Sequence, residues 1–160
     1  MNWDASIAKD IDWMGLGMVL RDEQRIVVLA AYSKTFVGNL DVLTAKARAG
    51  LIALQVCKSL GFTKIHLEGN AQGVISAINS RHPDWSSIGM LVEDFKLKLQ
   101  SLQQWQLSFV RREGNQAAHT LANLASRTFM NNMWLHGPPE CIVGIVQREQ
   151  VTPYALNLNQ

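Results

Sequence analysis

Two periodicities divide this chain. Residues 14–22, Met-Gly-Leu-Gly-Met-Val-Leu-Arg-Asp, place small side chains on one face, and residues 25–36 are rich in Ile, Val, Ala and Tyr. Such runs read as strands. The polar Asp22-Glu23-Gln24 between them predicts a turn, so 14–36 is expected to be an antiparallel hairpin. A shorter strand carries Asp4 and ends in a polar turn around Lys9 and Asp10. Over 41–60 the pattern becomes helical. Asp41 or Asn39 can cap this helix, Ala and Leu dominate it, and Gly61 stops it. Its apolar residues wrap most of the circumference, which suits a helix packed centrally.

Residues 64–69 alternate as a fourth strand. A short helix over 71–80 ends near Arg81-His82-Pro83, since the residue before a proline avoids the helical region. Ser86 or Ser87 opens another helix to about 103, residues 105–111 form a fifth strand, and 115–128 a last helix. Residues 130–146, with Trp134, Pro138 and Pro139, read as a loop and a short apolar segment folded back on the sheet. The expected domain is therefore 1–146, and 147–160 a loose C-terminal tail. The order βββ-α-β-α-α-β-α gives an α/β fold: a meander of three strands, then two strands reached through helical crossovers, in one mixed five-stranded sheet with helices on both faces.

Composition narrows the class. A chain of 160 residues, 48% apolar and 18% charged, suits one globular domain with a real core. A net charge of +2 permits nucleic-acid binding without arguing for it, because a basic patch needs clustering. Cys57 and Cys141 stand singly, without a CxxC partner, which points away from metal or redox chemistry and toward a reducing compartment. No charged-then-apolar leader opens the chain and no apolar run is long enough to span a membrane. The expectation is a soluble intracellular protein, cytoplasmic or nuclear, with no membrane partner.

Four segments carry candidate chemistry: Asn2-Trp3-Asp4-Ala5-Ser6, Thr44-Ala45-Lys46-Ala47-Arg48-Ala49, Leu67-Glu68-Gly69-Asn70, and the stretch from Arg111-Arg112-Glu113-Gly114-Asn115-Gln116 to His119 and Ala122. Together they resemble the plant ribonuclease H-like, reverse-transcriptase-associated family, which reads roughly N-x-D-A-S, A-E-A-x-A, E-S-D-S and R-x-x-N-x-x-A-[DH]-x-L-A. The resemblance runs to about residue 146 and implies the ribonuclease H fold, with strand order 3-2-1-4-5. It also implies hydrolysis of the RNA strand of an RNA–DNA hybrid by two Mg²⁺ or Mn²⁺ ions held between carboxylates.

On that frame Asp4, Lys46, Asn70 and His119 occupy the four catalytic positions. Lys46 stands where the family has a glutamate and Asn70 where it has an aspartate. An ammonium beside Asp4 repels a divalent cation, and a neutral amide oxygen binds one more weakly than a carboxylate. His119 is shared with many plant members and is a poor Mg²⁺ ligand. Asn70 can also cap the 71–80 helix. Glu68, two residues before Asn70 and so expected on the same face of the strand, could join Asp4 as a metal ligand. As given, the chain is expected to hold no cofactor; Mg²⁺ or Mn²⁺ would be needed if it is active.

Nucleic-acid contacts are expected from Ser6, Lys9, Lys46, Arg48, Arg111 and Arg112, and from Asn115 and Gln116 at the start of the last helix. The short stretch between Asn70 and His119 leaves little room for the basic helical handle of the family's bacterial relatives, so binding of RNA or hybrid should be weak and salt-dependent. Trp85, in the Pro83-Asp84-Trp85 loop, is the tryptophan expected to be exposed. Three readings stand: an impaired nucleic-acid-binding domain, an active hybrid ribonuclease with an altered metal arrangement, and a protein-interaction module on the same fold.

Overall fold

The computed structural model describes residues 1–8 and 10–151. Three strands, β1 (Asn2–Ala8), β2 (Trp13–Arg21) and β3 (Val28–Val37), form the meander, and α1 (Val42–Ser59) follows. Asp41 caps α1 by accepting from the Thr44 N–H at 3.0 Å, and Gly61, at φ +89°, turns the chain out of it. Next come β4 (Lys64–Gly69), α2 (Gln72–Asn79), α3 (Gly89–Gln100) and β5 (Gln104–Phe109). A 3₁₀ turn over Arg112–Asn115 leads into α4 (Gln116–Thr128), and the described chain closes with β6 (Asn132–Leu135) and α5 (Glu140–Val151). Among the described residues no helix is long and apolar enough to cross a membrane.

The sheet is mixed, with helices on both faces, but it has six strands in the order β5-β4-β1-β2-β3-β6. The sixth comes from the segment expected to be a loop and a short apolar stretch folded back on the sheet. Asn132–Leu135 pairs antiparallel with Ala30–Ser33, and the Asn131 side chain takes the Thr35 N–H at 2.8 Å, so β3 is not an edge. Helical structure also continues past residue 146, the expected boundary. Helix α5 runs through that boundary because Ile142 and Val146 are buried against Val19, Val28 and Ala31 of the sheet and Ala117 and Leu121 of α4. Arg21 and Glu149 pair at 2.5 Å, one turn beyond Val146. The rest of the expected tail, 152–160, lies outside the described residues. Helix α3 begins at Gly89 rather than at the expected serines; Ser86 sits in a turn, its N–H held by the Asp84 carboxylate at 2.7 Å.

Two close approaches set the positions that matter most. On one face α4 rests directly on β2: a Cβ added at Gly15 would lie 1.9 Å from the Ala122 carbonyl oxygen, and one at Gly17 2.0 Å from that of Ala118. On the other face the Trp3 ring fills a slot that only glycines leave open. A Cβ at Gly50 of α1 would come within 2.7 Å of it, and one at Gly69 of β4 within 2.6 Å. Trp3 is 1% exposed and meets Phe95 of α3 at a centroid distance of 6.1 Å. Strand alternation thus sends Trp3 toward α1 and Asp4 toward α4.

Candidate functional site

These two seams bring the site together. Gly17 is the antiparallel partner of Asp4, and the Ala118 carbonyl lies against Gly17, so the next residue of α4, His119, arrives over Asp4. Its Nδ1 is 2.8 Å from Asp4 Oδ2. Trp3 works from the other face. Its indole N–H donates to the Lys46 carbonyl at 3.0 Å, fixing that turn of α1 beside β1. Lys46 Nζ then lies 3.2 Å from Asp4 Oδ1. Trp3 also pairs with Gly69, the last residue of β4, so the chain leaves β4 beside Asp4, and Asn70 Oδ1 accepts from Lys46 Nζ at 2.8 Å. Asp4, Lys46, Asn70 and His119 are therefore one bonded group.

Asp4 is 1% exposed, and a carboxylate so deeply buried needs compensation. It receives the Lys46 ammonium, the His119 Nδ1 contact and the Ala5 N–H at 2.8 Å. His119 is held at both ring nitrogens. Nδ1 faces a carboxylate and donates. Nε2 lies 3.2 Å from Arg112 Nη2 and 3.1 Å from Asn123 Nδ2, both donors, so it accepts. Asn123 Oδ1 in turn accepts from Ser6 Oγ at 2.6 Å, and Ser126 Oγ donates to Ser6 at 3.3 Å. An unbroken chain of polar contacts links Ser126, Ser6, Asn123, His119, Asp4, Lys46 and Asn70.

The remaining candidates divide. Asn70 does not cap α2: the cap position is Ala71, whose side chain has no acceptor to offer, and the Asn70 oxygen accepts from Lys46 instead. Glu68 does not join Asp4. It accepts from Arg25 at 2.5 Å and from Asn2 at 3.1 Å, and because the strand ends at Gly69 its two-residue alternation does not carry on to Asn70. Burial works to raise the Glu68 carboxyl, but the hydrogen bond and charge of Arg25, with His66, outweigh it and hold the group below its ordinary range. Asn115 is buried and donates to the Trp3 carbonyl at 2.9 Å, which takes it away from any ligand. Arg111 and Arg112 are exposed, and Ser6 and Gln116 half-buried. Arg48 is exposed over the Phe36 ring, 5.4 Å from its centroid. Trp85 is 92% exposed. Lys9 lies outside the described residues.

Sequence reading missed two residues that build the site, Asn123 and Trp3. Asn123 was within reach of it, being four positions after His119 on one helix face. Trp3 carried no signal as a positioning residue, since its partner Lys46 is distant in sequence. Among the described residues no group of three or more His, Cys, Asp or Glu side chains could hold a metal ion.

Residues 2–125 match the family model described as reverse transcriptase-like. No curated protein matches the sequence. Solved structures do. One is the RNase H1 of the halophilic archaeon Halobacterium salinarum, 22% identical, with a TM-score of 0.68, covering 78% of this chain and 93% of that one. Another is an N-terminal RNase H domain from Mycobacterium tuberculosis solved as a fusion with maltose binding protein, 20% identical, TM-score 0.69, covering 78% and 90%. A third is LC11-RNase H1 in complex with an RNA/DNA hybrid, 19% identical, TM-score 0.67, covering 80% and 96%. At such identities the likeness is one of fold.

Proposed function

This chain belongs to the reverse transcriptase-like, RNase H-like family, and within it we propose a nucleic-acid-binding domain that has lost efficient metal-dependent cleavage. The observation that carries the reading is the Lys46 ammonium 3.2 Å from Asp4. Two divalent ions roughly 4 Å apart need several carboxylate oxygens around them. Here one carboxylate faces an ammonium, a neutral amide and an imidazole whose Nδ1 is already engaged with that carboxylate. A like charge at about 4 Å costs on the order of 4 kcal/mol at an effective dielectric near 20, and a divalent ion meets roughly double. The residues do not fit Mg²⁺ or Mn²⁺, and no hydrolytic step is assigned to them.

Binding is supported by what surrounds that group. Arg111 and Arg112 are exposed at the start of α4, and Ser6 and Gln116 are partly open. A protein of the same fold has been solved with an RNA/DNA hybrid, so a hybrid or RNA is the ligand we propose, held mainly through its phosphates. Kinship with the plant branch and an intracellular setting belong to the same proposal; they rest on His119 in the last motif position and on the unpaired Cys57 and Cys141.

The test is incubation with an end-labelled RNA–DNA hybrid in Mg²⁺ and in Mn²⁺, alongside a binding titration at several salt concentrations. The expected result is salt-sensitive binding with the RNA strand left intact. Cleavage of the RNA strand that depends on either metal overturns the impaired reading. Absence of hybrid and RNA binding at low salt would favour a protein-interaction module instead.

A further inference from the structure

From the same group we infer that Lys46 is a built-in substitute for a metal ion, which lets this site grip a phosphodiester without any divalent cation. This rests on the nucleic-acid reading above. The ammonium has three protons to donate. Asn70 Oδ1 takes one at 2.8 Å and Asp4 Oδ1 draws another at 3.2 Å. The third has no acceptor among the described residues, and the side chain keeps 17% of its surface open. A cation is thus fixed on two oxygens with one donor left for a ligand, which is how a bound metal ion presents itself to a phosphate.

The charges agree. A cluster of carboxylates repels a phosphate until cations fill it. Here Asp4 is the one acid of the group, and Lys46 and Arg112 flank the Asp4–His119 pair, Arg112 through its 3.2 Å contact with His119 Nε2. Two cations set against a single buried carboxylate leave a surplus of positive charge facing outward. Such a surface attracts the nucleic-acid backbone directly, and an added divalent cation competes with it for the phosphates.

The test compares hybrid binding by the full chain in chelator and in millimolar Mg²⁺ at matched ionic strength. We expect affinity in chelator equal to or better than that in Mg²⁺. Lys46→Gln should weaken binding by about 5-fold and lower the slope of log affinity against log salt by about 1, the signature of one lost phosphate contact. Lys46→Glu should make binding depend on Mg²⁺. Arg112→Gln, at an exposed position that does not threaten folding, should lower the slope in the same way. Binding by the unmodified chain that requires Mg²⁺ overturns the inference while leaving the nucleic-acid reading in place. So does a folded Lys46→Gln whose salt slope is unchanged. Failure of the unmodified chain to bind in either buffer overturns both.

Discussion

Removing the Lys46 ammonium should cost the fold more than a surface ion pair would. Lys46→Met keeps the stem of the side chain and deletes only the charge. Breaking a buried pair costs about 3–5 kcal/mol, whereas exposed pairs contribute about 0–1 kcal/mol. This pair lies between those limits, since Asp4 is 1% exposed and Lys46 17%. Asp4 would also keep His119 and the Ala5 N–H as donors. A loss of about 2 kcal/mol is therefore expected, or roughly 4–8 °C in Tm for a domain of this size. Urea unfolding at neutral pH should register it as a lower midpoint with an unchanged slope. A double-mutant cycle with Asp4→Asn should return a coupling of about 1–2 kcal/mol, because the ammonium has little to do once its carboxylate is gone. Millimolar Mg²⁺ should leave the Tm of the unmodified chain where it is. Two results would refute the reasoning: a Lys46→Met protein within about 0.5 kcal/mol of the parent, the usual range of a bland surface change, or clear stabilisation of the parent by Mg²⁺.

Three further outcomes are expected. Lys46→Glu combined with Asn70→Asp should regain Mg²⁺-dependent cleavage of the RNA strand, each change alone recovering far less because ligands of two ions act as a unit; a well-folded but inactive double variant would show that the substrate groove is gone. Gly17→Ala would drive a Cβ to 2.0 Å from the Ala118 carbonyl, so it should destabilise by about 3 kcal/mol or more in urea unfolding; near-parental stability would contradict the seating of α4. Glu68, held below its ordinary 4.5 chiefly by Arg25 against its own burial, stabilises above that value and loses its contribution as pH falls through the lower folded value. Glu68→Gln should accordingly flatten the acid limb of Tm against pH, and an unaltered limb would count against the Arg25 contact.

The elements with a strong period were legible in the sequence. The hairpin, α1 with its Asp41 cap and Gly61 stop, and the crossover strands follow from local pattern. The motif spacing also pointed to Asp4, Lys46, Asn70 and His119. What escaped was held by distant partners. Strand β6 is four residues long and exists because β3 offers an open edge. Helix α5 is stabilised by Ile142 and Val146 against residues more than a hundred positions earlier as well as by α4. Asn115 looks like a helix-start residue with a free amide, but its partners Trp3 and Asn2 lie at the other end of the chain. Asn70 looks like a cap for the same kind of reason; only the arrival of Lys46 across the sheet reassigns it.

The bridge from Asn70 through Lys46 to Asp4 also makes the order of change matter. Replacing Asn70 by aspartate first would turn a 2.8 Å hydrogen bond into an ion pair, and the fold should tolerate it. Replacing Lys46 by glutamate first would set a second carboxylate beside buried Asp4 with no ammonium to answer it, opposed by something on the order of 4 kcal/mol before any metal arrives. Both routes end at the same three-carboxylate site, so the order decides only at which step the repulsion is met: at once if the helix residue changes first, at the second step if the strand residue does. Lysine here is therefore self-retaining: whichever change comes first, the helix residue returns to glutamate only against that repulsion, until a cation arrives to answer it.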